Sequence, residues 1–375
     1  MDKYEYAWMY VRNVYMPSDI SRGEYLYEEI FKMNEEEMTK RLSISNKTAT
    51  EIMSTYSTLN VDKIYEEFLE SGAASVTIRD DEYPARLRYI DEPPYALFYY
   101  GDLPEEDGPS VAIIGARNCS EYGREMAENI AAGLGEKGVQ VISGMAYGID
   151  GISQMAAINA RGTSYAILGC GVDEVYPRAN KTLYERLKKQ GGVISEYAIT
   201  KKAKSENFPL RNRIISGLSD VVIVVEARLK SGTFITVDYA LSQGREIMVV
   251  PGRATDPLSV GCNALLFQGA NPVQSCEDVM RVLDTISPGR YYEKNRGSDF
   301  KTKDLKKLIP KQSEKILLER EENMVYSVLD FYALSPEDIA KAVNMDIFKI
   351  MSILIGLEMK GVIKETGKNL YVKCR

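Results

Sequence analysis

Between residues 111 and 250, short apolar runs alternate with amphipathic stretches of helix length. The runs 111–114, 139–143, 164–168, 193–195, 221–225 and 246–250 predict strands, and 122–136, 151–160 and 181–189 predict helices between them. The runs VAII, VVIVV and IMVV are apolar at every position. A strand buried on one face alternates apolar and polar residues, whereas one buried on both faces does not. The region 111–287 therefore predicts an α/β core: βαβ units closing a parallel sheet, with helices on both faces.

Ahead of the core, 24–33 and 61–70 show helix-period apolar spacing with acidic outer faces, so 1–75 predicts a helical layer. Residues 76–110 hold one or two strands and the turns YPARL and DEPPYALFYYG, and are assigned to the core. The polar, basic stretch 288–319 has no sustained period and reads as a linker. In the tail, 320–375, helices are predicted at 323–332, from Pro336 to Asn344, and at 347–359. Ser335 serves as N-cap and Pro336 takes the first helical position. Strands at 362–365 and 370–373 then flank TGKN as a hairpin, and three helices with a two-stranded wing predict a winged helix.

Composition narrows the chemistry. The chain has 375 residues, enough for two or three domains of roughly 100–200 residues each. Its 45% apolar content excludes disorder throughout. Histidine is absent, which removes every His-based triad, metal ligand and imidazole acid or base. The cysteines at 119, 170, 262, 276 and 374 form no CxxC pair. Neither a zinc site nor a disulfide framework is expected, and reduced thiols in a cytoplasm fit. No run approaches ~18 consecutive apolar residues, and MDKYEYAWMY lacks the basic start and apolar stretch of a secretory signal. No membrane partner is expected.

The net charge of −7 is unevenly spread. Residues 1–110 carry 11 basic and 23 acidic side chains, whereas 178–230 carry 12 basic and 5 acidic. The global balance argues against diffuse nucleic-acid binding. The local excess permits a focused anion site, because a concave basic patch sets its own potential.

Four turns follow predicted parallel strands. Gly115, Ala116 and Arg117 form the first, with Ser120 and Tyr122 opening the next helix. Small residues let the backbone approach an anion, the helix start offers free N–H groups, and Arg117 adds a planar phosphate donor. The second turn is SGMAYGID, 143–150, where Gly144 and Gly148 permit another close approach and Asp150 caps a helix. The third is FPLRNRII, 208–215, in which Arg211, Asn212 and Arg213 follow Lys201, Lys202 and Lys204. Phe208 there is a candidate base-stacking platform or a buried core residue. The fourth is Lys230, Ser231, Gly232 and Thr233. It is no Walker loop, because GxxxxGK[ST] is missing. In open α/β sheets ligands bind at this carboxyl edge, so four such turns fringed by Arg and Lys predict an anion groove. A nucleophile–base pair, a metal-binding carboxylate cluster and a ribose-binding acid are all missing. No catalytic residue, metal or cofactor is expected.

With these turns in order, the stretch from Val111 to Ala270 resembles the DNA-processing protein A family, also called DprA or Smf. The matching motifs are IIGAR with SxYG, SGMAYGID, AILGCGVDEVYP, ISEY, FPLRNRIISGLSD, VVEARLKSGTFIT, QGREIMVVPG and GCNALLFQGA. The resemblance implies an extended Rossmann-like core, a SAM-like N-terminal helical domain and a C-terminal winged helix. It also implies single-stranded DNA binding in a positive pocket, a homodimer, and loading of the RecA recombinase during natural transformation. Arg117, the lysines before FP, Arg211 and Arg213 are implied DNA contacts. Gly144 and the Ser231–Gly232–Thr233 turn are implied backbone donors. The reading of the turns adds Gly115, Ala116, Phe208, Asn212 and Lys230 to the expected DNA-binding set. Lys201, Lys202 and Lys204 are not told apart.

The chain departs from the family pattern in places. Gly151, Ile152, Ser153 and Gln154 stand where a His is usual, Ala116 replaces the common Ser or Thr, and 198–207 is Lys-rich without the usual prolines.

Two alternatives share the fold class. A phosphoribohydrolase of the lysine-decarboxylase-like type carries PGGxGTxxE, but KSGTFIT places Thr236 where its carboxylate belongs. A dinucleotide-dependent oxidoreductase needs GxGxxG and an acid after the second strand, where Ser143 and Gly144 stand instead. The candidate recognition helix of the tail, IFKIMSILIGLEM, carries only Lys349 and Glu358 as charges. That composition favours protein contact or packing over base reading.

Overall fold

The computed structural model describes residues 1–12, 27–286, 320–329, 333–367 and 369–373. The predicted linker, Cys374, residues 24–26 and 330–332 of two predicted helices, and Lys368 of the predicted hairpin turn lie outside these residues. The described chain forms two compact units.

The larger unit is built on a nine-stranded sheet in the order β1-β2-β6-β5-β4-β3-β7-β8-β9. Its strands are β1 (Ala74–Thr77), β2 (Ala96–Gly101), β3 (Ser110–Ile114), β4 (Gln140–Ser143), β5 (Ser164–Leu168), β6 (Gly191–Ser195), β7 (Val221–Val224), β8 (Glu246–Val249) and β9 (Asn271–Pro272). From β3 onward every pairing within the sheet is parallel. The β2 strand closes antiparallel on β6, and β1 on β2. The chain winds outward from β3 to β6, then returns to place β7 on the other side of β3. That reversal is the switch point of a doubly wound sheet.

Helices cross over between strands: α7 (Glu121–Glu136), α8 (Ile149–Asn159), α9 (Lys181–Leu187), α10 (Asn207–Gly217), α11 (Thr233–Ser242), α12 (Val260–Phe267) and α13 (Cys276–Ile286). The all-apolar strands supply both faces, as their composition requires. Ala112, Ile114, Ile142, Tyr165, Ile167, Val222 and Val224 pack on one face with Ile214, Ile215 and Leu218 of the α10 region and Val237 of α11. Ala166, Leu168 and Val193 pack on the other with Ile158 of α8 and Leu183 and Leu187 of α9.

The N-terminal residues form α1 (Lys3–Arg12), α2 (Tyr27–Ile30), α3 (Glu35–Leu42), α4 (Asn46–Ser57) and α5 (Val61–Glu70), with α6 (Ala85–Arg88) between the first two strands. Asn34 accepts from Glu37 N, and Glu37 reaches back to Asn34 N, so a capping box opens α3. Tyr6, Trp8, Ile30, Met38, Ile52 and Phe68 form an aromatic-rich core that continues into Phe98 of β2 and into the loop residues Val172, Ala198 and Ile199.

The smaller unit holds α14 (Arg320–Val328), α15 (Pro336–Val343), α16 (Ile347–Met359) and an antiparallel hairpin of β10 (Ile363–Gly367) and β11 (Leu370–Lys373). Ser335 caps α15 with Pro336 at its first position, and Asn344 ends it in the left-handed conformation at φ 52°. This is the element order of a winged helix. Val325, Ile339, Ile350, Leu354, Leu357 and Tyr371 fill its core.

Candidate nucleic-acid interface

The carboxyl ends of β3 to β7 open onto a cleft of about 610 Å³. Of the predicted residues, Gly115, Ala116, Arg117, Phe208, Arg211, Asn212, Ser231, Gly232 and Thr233 line it. Arg117 follows β3 and Thr233 opens α11 after β7, so the cleft straddles the switch point.

Backbone interlocking builds the first wall. Gly148 has φ +73°, and a Cβ there would meet Ala116 O at 2.2 Å and Arg117 O at 2.5 Å. Only glycine lets the second turn lie flat on the first. Ile149 N then donates to Ala116 O at 3.2 Å and locks the two turns together. Asn180 Nδ2 donates to Met145 O and Ala146 O, and Met145 N donates to Gln154 Oε1, which fixes the rest of the second turn. Gln154, in the segment where the resemblance gave a His as usual, braces the turn here.

The opposite wall is the first turn of α10. Asn207 Nδ2 donates to Gly169 O at 2.9 Å and ties that helix start to the end of β5. Phe208 is thereby held beside Tyr176, their ring centroids 5.3 Å apart at 30°. The Arg117 guanidinium lies 5.9 Å from the Phe208 centroid. A positive group over an aromatic face is a favourable arrangement, and the exposed Tyr176 ring with the half-buried Phe208 ring beside it forms a shelf for a flat ligand. Tyr176 was not among the predicted residues. Its one signal was an aromatic beside a proline after a Gly-containing turn.

Arg211 forms the floor. It is buried, donating to Gly144 O at 3.2 Å, to Ile167 O, and through Nε to Asn212 Oδ1 at 3.2 Å. Asp150 lies close by, within the first turn of α8 and not at the expected cap position, which Gly148 occupies, and its Oδ2 accepts from Gly144 N at 3.1 Å. Burial disfavours both charges, lowering Arg211 and raising Asp150 from their ordinary values, and each offsets the other. Arg211 therefore joins the ends of β4 and β5 and lends the cleft an edge of positive charge. Ser231 Oγ, at the start of α11, is buried with no partner among the described residues.

Six expected residues are placed elsewhere. Arg213 points away from the cleft, its guanidinium bidentate on buried Glu196 at 2.8 and 2.5 Å and donating to Glu92 O at 2.9 Å. Two residues along a helix turn a side chain through about 200°, which separates it from Arg211. Gly144 spends its N–H on Asp150, and it borders a side pocket of about 50 Å³. Ala203 and Ser205 face the cleft, while Lys202 and Lys204 stand at its rim, paired with Glu174 at 2.5 Å and Glu206 at 3.9 Å. Lys230 is exposed beside the fourth turn but does not line the cleft. Lys201 stacks on Tyr10, its Nζ 3.9 Å from the ring centroid.

Asp150 is the only carboxylate among the described residues lining the cleft. Burial pushes the Cys170 and Cys262 thiols up to about 12, so neither is a ready nucleophile. Among the described residues no group of His, Cys, Asp or Glu is placed to hold a metal ion, and no helix is long and apolar enough to cross a membrane.

Comparison with known proteins identifies the family. The sequence pattern of the DNA recombination-mediator protein A family matches residues 74–284. The DNA processing protein DprA of Bacillus subtilis is 38% identical over 222 residues, 59% of this chain and 75% of the relative. That of Streptococcus pneumoniae is 41% identical over 206 residues, 55% of this chain and 73% of the relative. The X-ray structure of DNA processing protein A from Streptococcus pneumoniae superposes with a TM-score of 0.65 at 33% identity, covering 75% of this chain and 98% of that one. A structure of DNA processing protein A from Helicobacter pylori, described for its single-stranded DNA binding mode, gives a TM-score of 0.51 at 27% identity, covering 57% and 96%. The family's pattern spans the whole parallel sheet and every turn of the cleft, and this chain belongs to the DNA recombination-mediator protein A family, the DprA/Smf proteins.

Proposed function

We propose that the cleft binds single-stranded DNA and that the protein acts as a non-catalytic recombination mediator. The observation that carries this reading is the meeting, at the switch point, of an exposed Arg117, the Phe208–Tyr176 shelf and the N-terminus of α11. Phosphates take N–H groups and guanidinium, and bases take the aromatic faces, which gives little sequence preference. Arg117, Phe208, Asn212, Ser231, Gly232 and Thr233 are the proposed contacts. Lys202 and Lys204 are proposed to swing from Glu174 and Glu206 onto phosphate. Arg211 is proposed to act as a support beneath the strand.

A duplex holds its bases stacked and cannot offer them to this shelf. Anisotropy titrations of labelled oligothymidine and of a blunt duplex should therefore show clear preference for the single strand. Equal binding of both would sink the proposal. The phosphoribohydrolase alternative lacks support in the cleft, where Thr236 is buried and Asp150 is committed to Gly144 and Arg211. Steady release of free base from nucleoside monophosphates would revive it.

Two finer parts follow from family membership and from exposed surfaces. Self-association is supported by Leu241 and Phe267, which are 61% and 95% exposed at the ends of α11 and α12. Delivery of the strand to a RecA-type recombinase is the partner function that the word mediator implies. The exposed stripe Phe348, Ile355 and Met359 on α16 supports protein contact by the C-terminal unit in preference to base reading. The absence of a membrane partner and a cytoplasmic setting belong to the same proposal.

A further inference from the structure

The rim of the cleft is fixed from outside it. The segment leading into α10 passes over the N-terminal helical layer, where Ala198 and Ile199 are buried in that layer's core. Thr200 sits in the left-handed region at φ +66°, its N–H shared between Asp173 Oδ1 and Oδ2 at 2.9 and 3.0 Å. Lys201 O accepts from Gly171 N at 2.8 Å. Above these bonds lies Tyr10, from the last turn of α1. Its hydroxyl is 3.4 Å from Thr200 Oγ1, and its ring carries the Lys201 ammonium at 3.9 Å. Burial, reinforced by the neighbouring Lys204 charge, lowers Lys201 from its ordinary value. The next residues, 202–205, are the rim itself.

We propose that α1 is a positioning element for the cleft: Tyr10 clamps Thr200 and Lys201, and the clamp holds residues 202–205 where a strand must pass. Lys201 is then a positioning residue and not a phosphate contact. This rests on the single-strand reading above. The physical reason is entropic. A rim segment left free before binding must be ordered by binding, and that loss comes out of the affinity. A rim clamped in advance avoids it.

The test is a double-mutant cycle in the full chain, read by oligothymidine anisotropy at several salt concentrations. Tyr10→Ala and Lys201→Met should each weaken binding by about three- to tenfold, the scale of a cation–π contact. The double variant should be no weaker than either single one, because both remove the same clamp. Tyr10→Phe keeps the ring face and should bind nearly as wild type does. The salt slope should stay at the wild-type value throughout. A Lys201 that touched phosphate would instead cut the slope by about 0.7 and add its effect to that of Tyr10→Ala. Additive losses, or full affinity in Tyr10→Ala, would overturn the clamp. If Tyr10→Ala loses its thermal transition, Lys201→Met decides, and a reduced slope overturns the clamp. Arg117→Ala serves as a parallel control. Wild-type protein that ignores oligothymidine overturns the single-strand reading itself, whereas binding lost in Arg117→Ala but not in the Tyr10 variants overturns the clamp alone.

Discussion

Arg211 and Arg213 look alike in the sequence, two guanidinium groups around one asparagine, yet they do different work. Arg211 borders the cleft from below, and Arg213 is sealed against Glu196. Sequence could identify the cluster but not the direction of each side chain, because the partner that claims Arg213 is Glu196, just past the end of β6. Removing one member of a buried pair strands the other, at a cost of about 3–5 kcal/mol. Arg213→Ala should therefore lower unfolding stability in urea by about that much, while protein that remains folded binds oligothymidine at near wild-type affinity. A stable Arg213→Ala that had lost DNA binding would return Arg213 to the strand. The lysines were illegible for a related reason. Their charge is visible in the sequence, but the ring of Tyr10, from the distant N-terminal helix α1, decides where Lys201 goes.

At the scale of elements, the parallel strands were the most legible part. Runs with no polar position have one stable home, between two layers of helices, and the predicted 164–168 and 347–359 coincide with β5 and α16. The short helices α2 and α6 gave no such signal, since a single turn has no period to read. The turns were legible as glycine-bearing corners, but their interlocking was not. Gly148 shows the difference: its role depends on Ala116 and Arg117 lying against its bare Cα. Gly148→Ala combines a left-handed φ, costing about 1–2 kcal/mol, with a backbone overlap of about 1–3 kcal/mol. Thermal unfolding should register that combined loss. A variant as stable as wild type would mean that the two turns do not touch.

Across the whole molecule, five strand ends converge on one cleft because the winding order reverses beside β3. That convergence makes four unremarkable turns into one site. The outer end of the same α/β layer offers Leu241 and Phe267, apolar residues left uncovered on the single chain. If they seat a second copy, Phe267→Glu should shift sedimentation velocity from dimer to monomer without moving the melting temperature. A wild-type monomer at micromolar concentration, or a dimer indifferent to Phe267→Glu, would place self-association elsewhere.

The central claim, that a polyanion lies across the corner held by Arg117, is tested most directly by the salt dependence of oligothymidine binding to wild type and Arg117→Ala. Each phosphate contact on a single strand contributes about −0.7 to the slope of log affinity against log salt. Arg117→Ala should weaken binding by about tenfold or more at low salt and flatten the slope by about 0.7, with the melting temperature unchanged. Wild-type affinity and an undiminished slope in that variant would contradict the account.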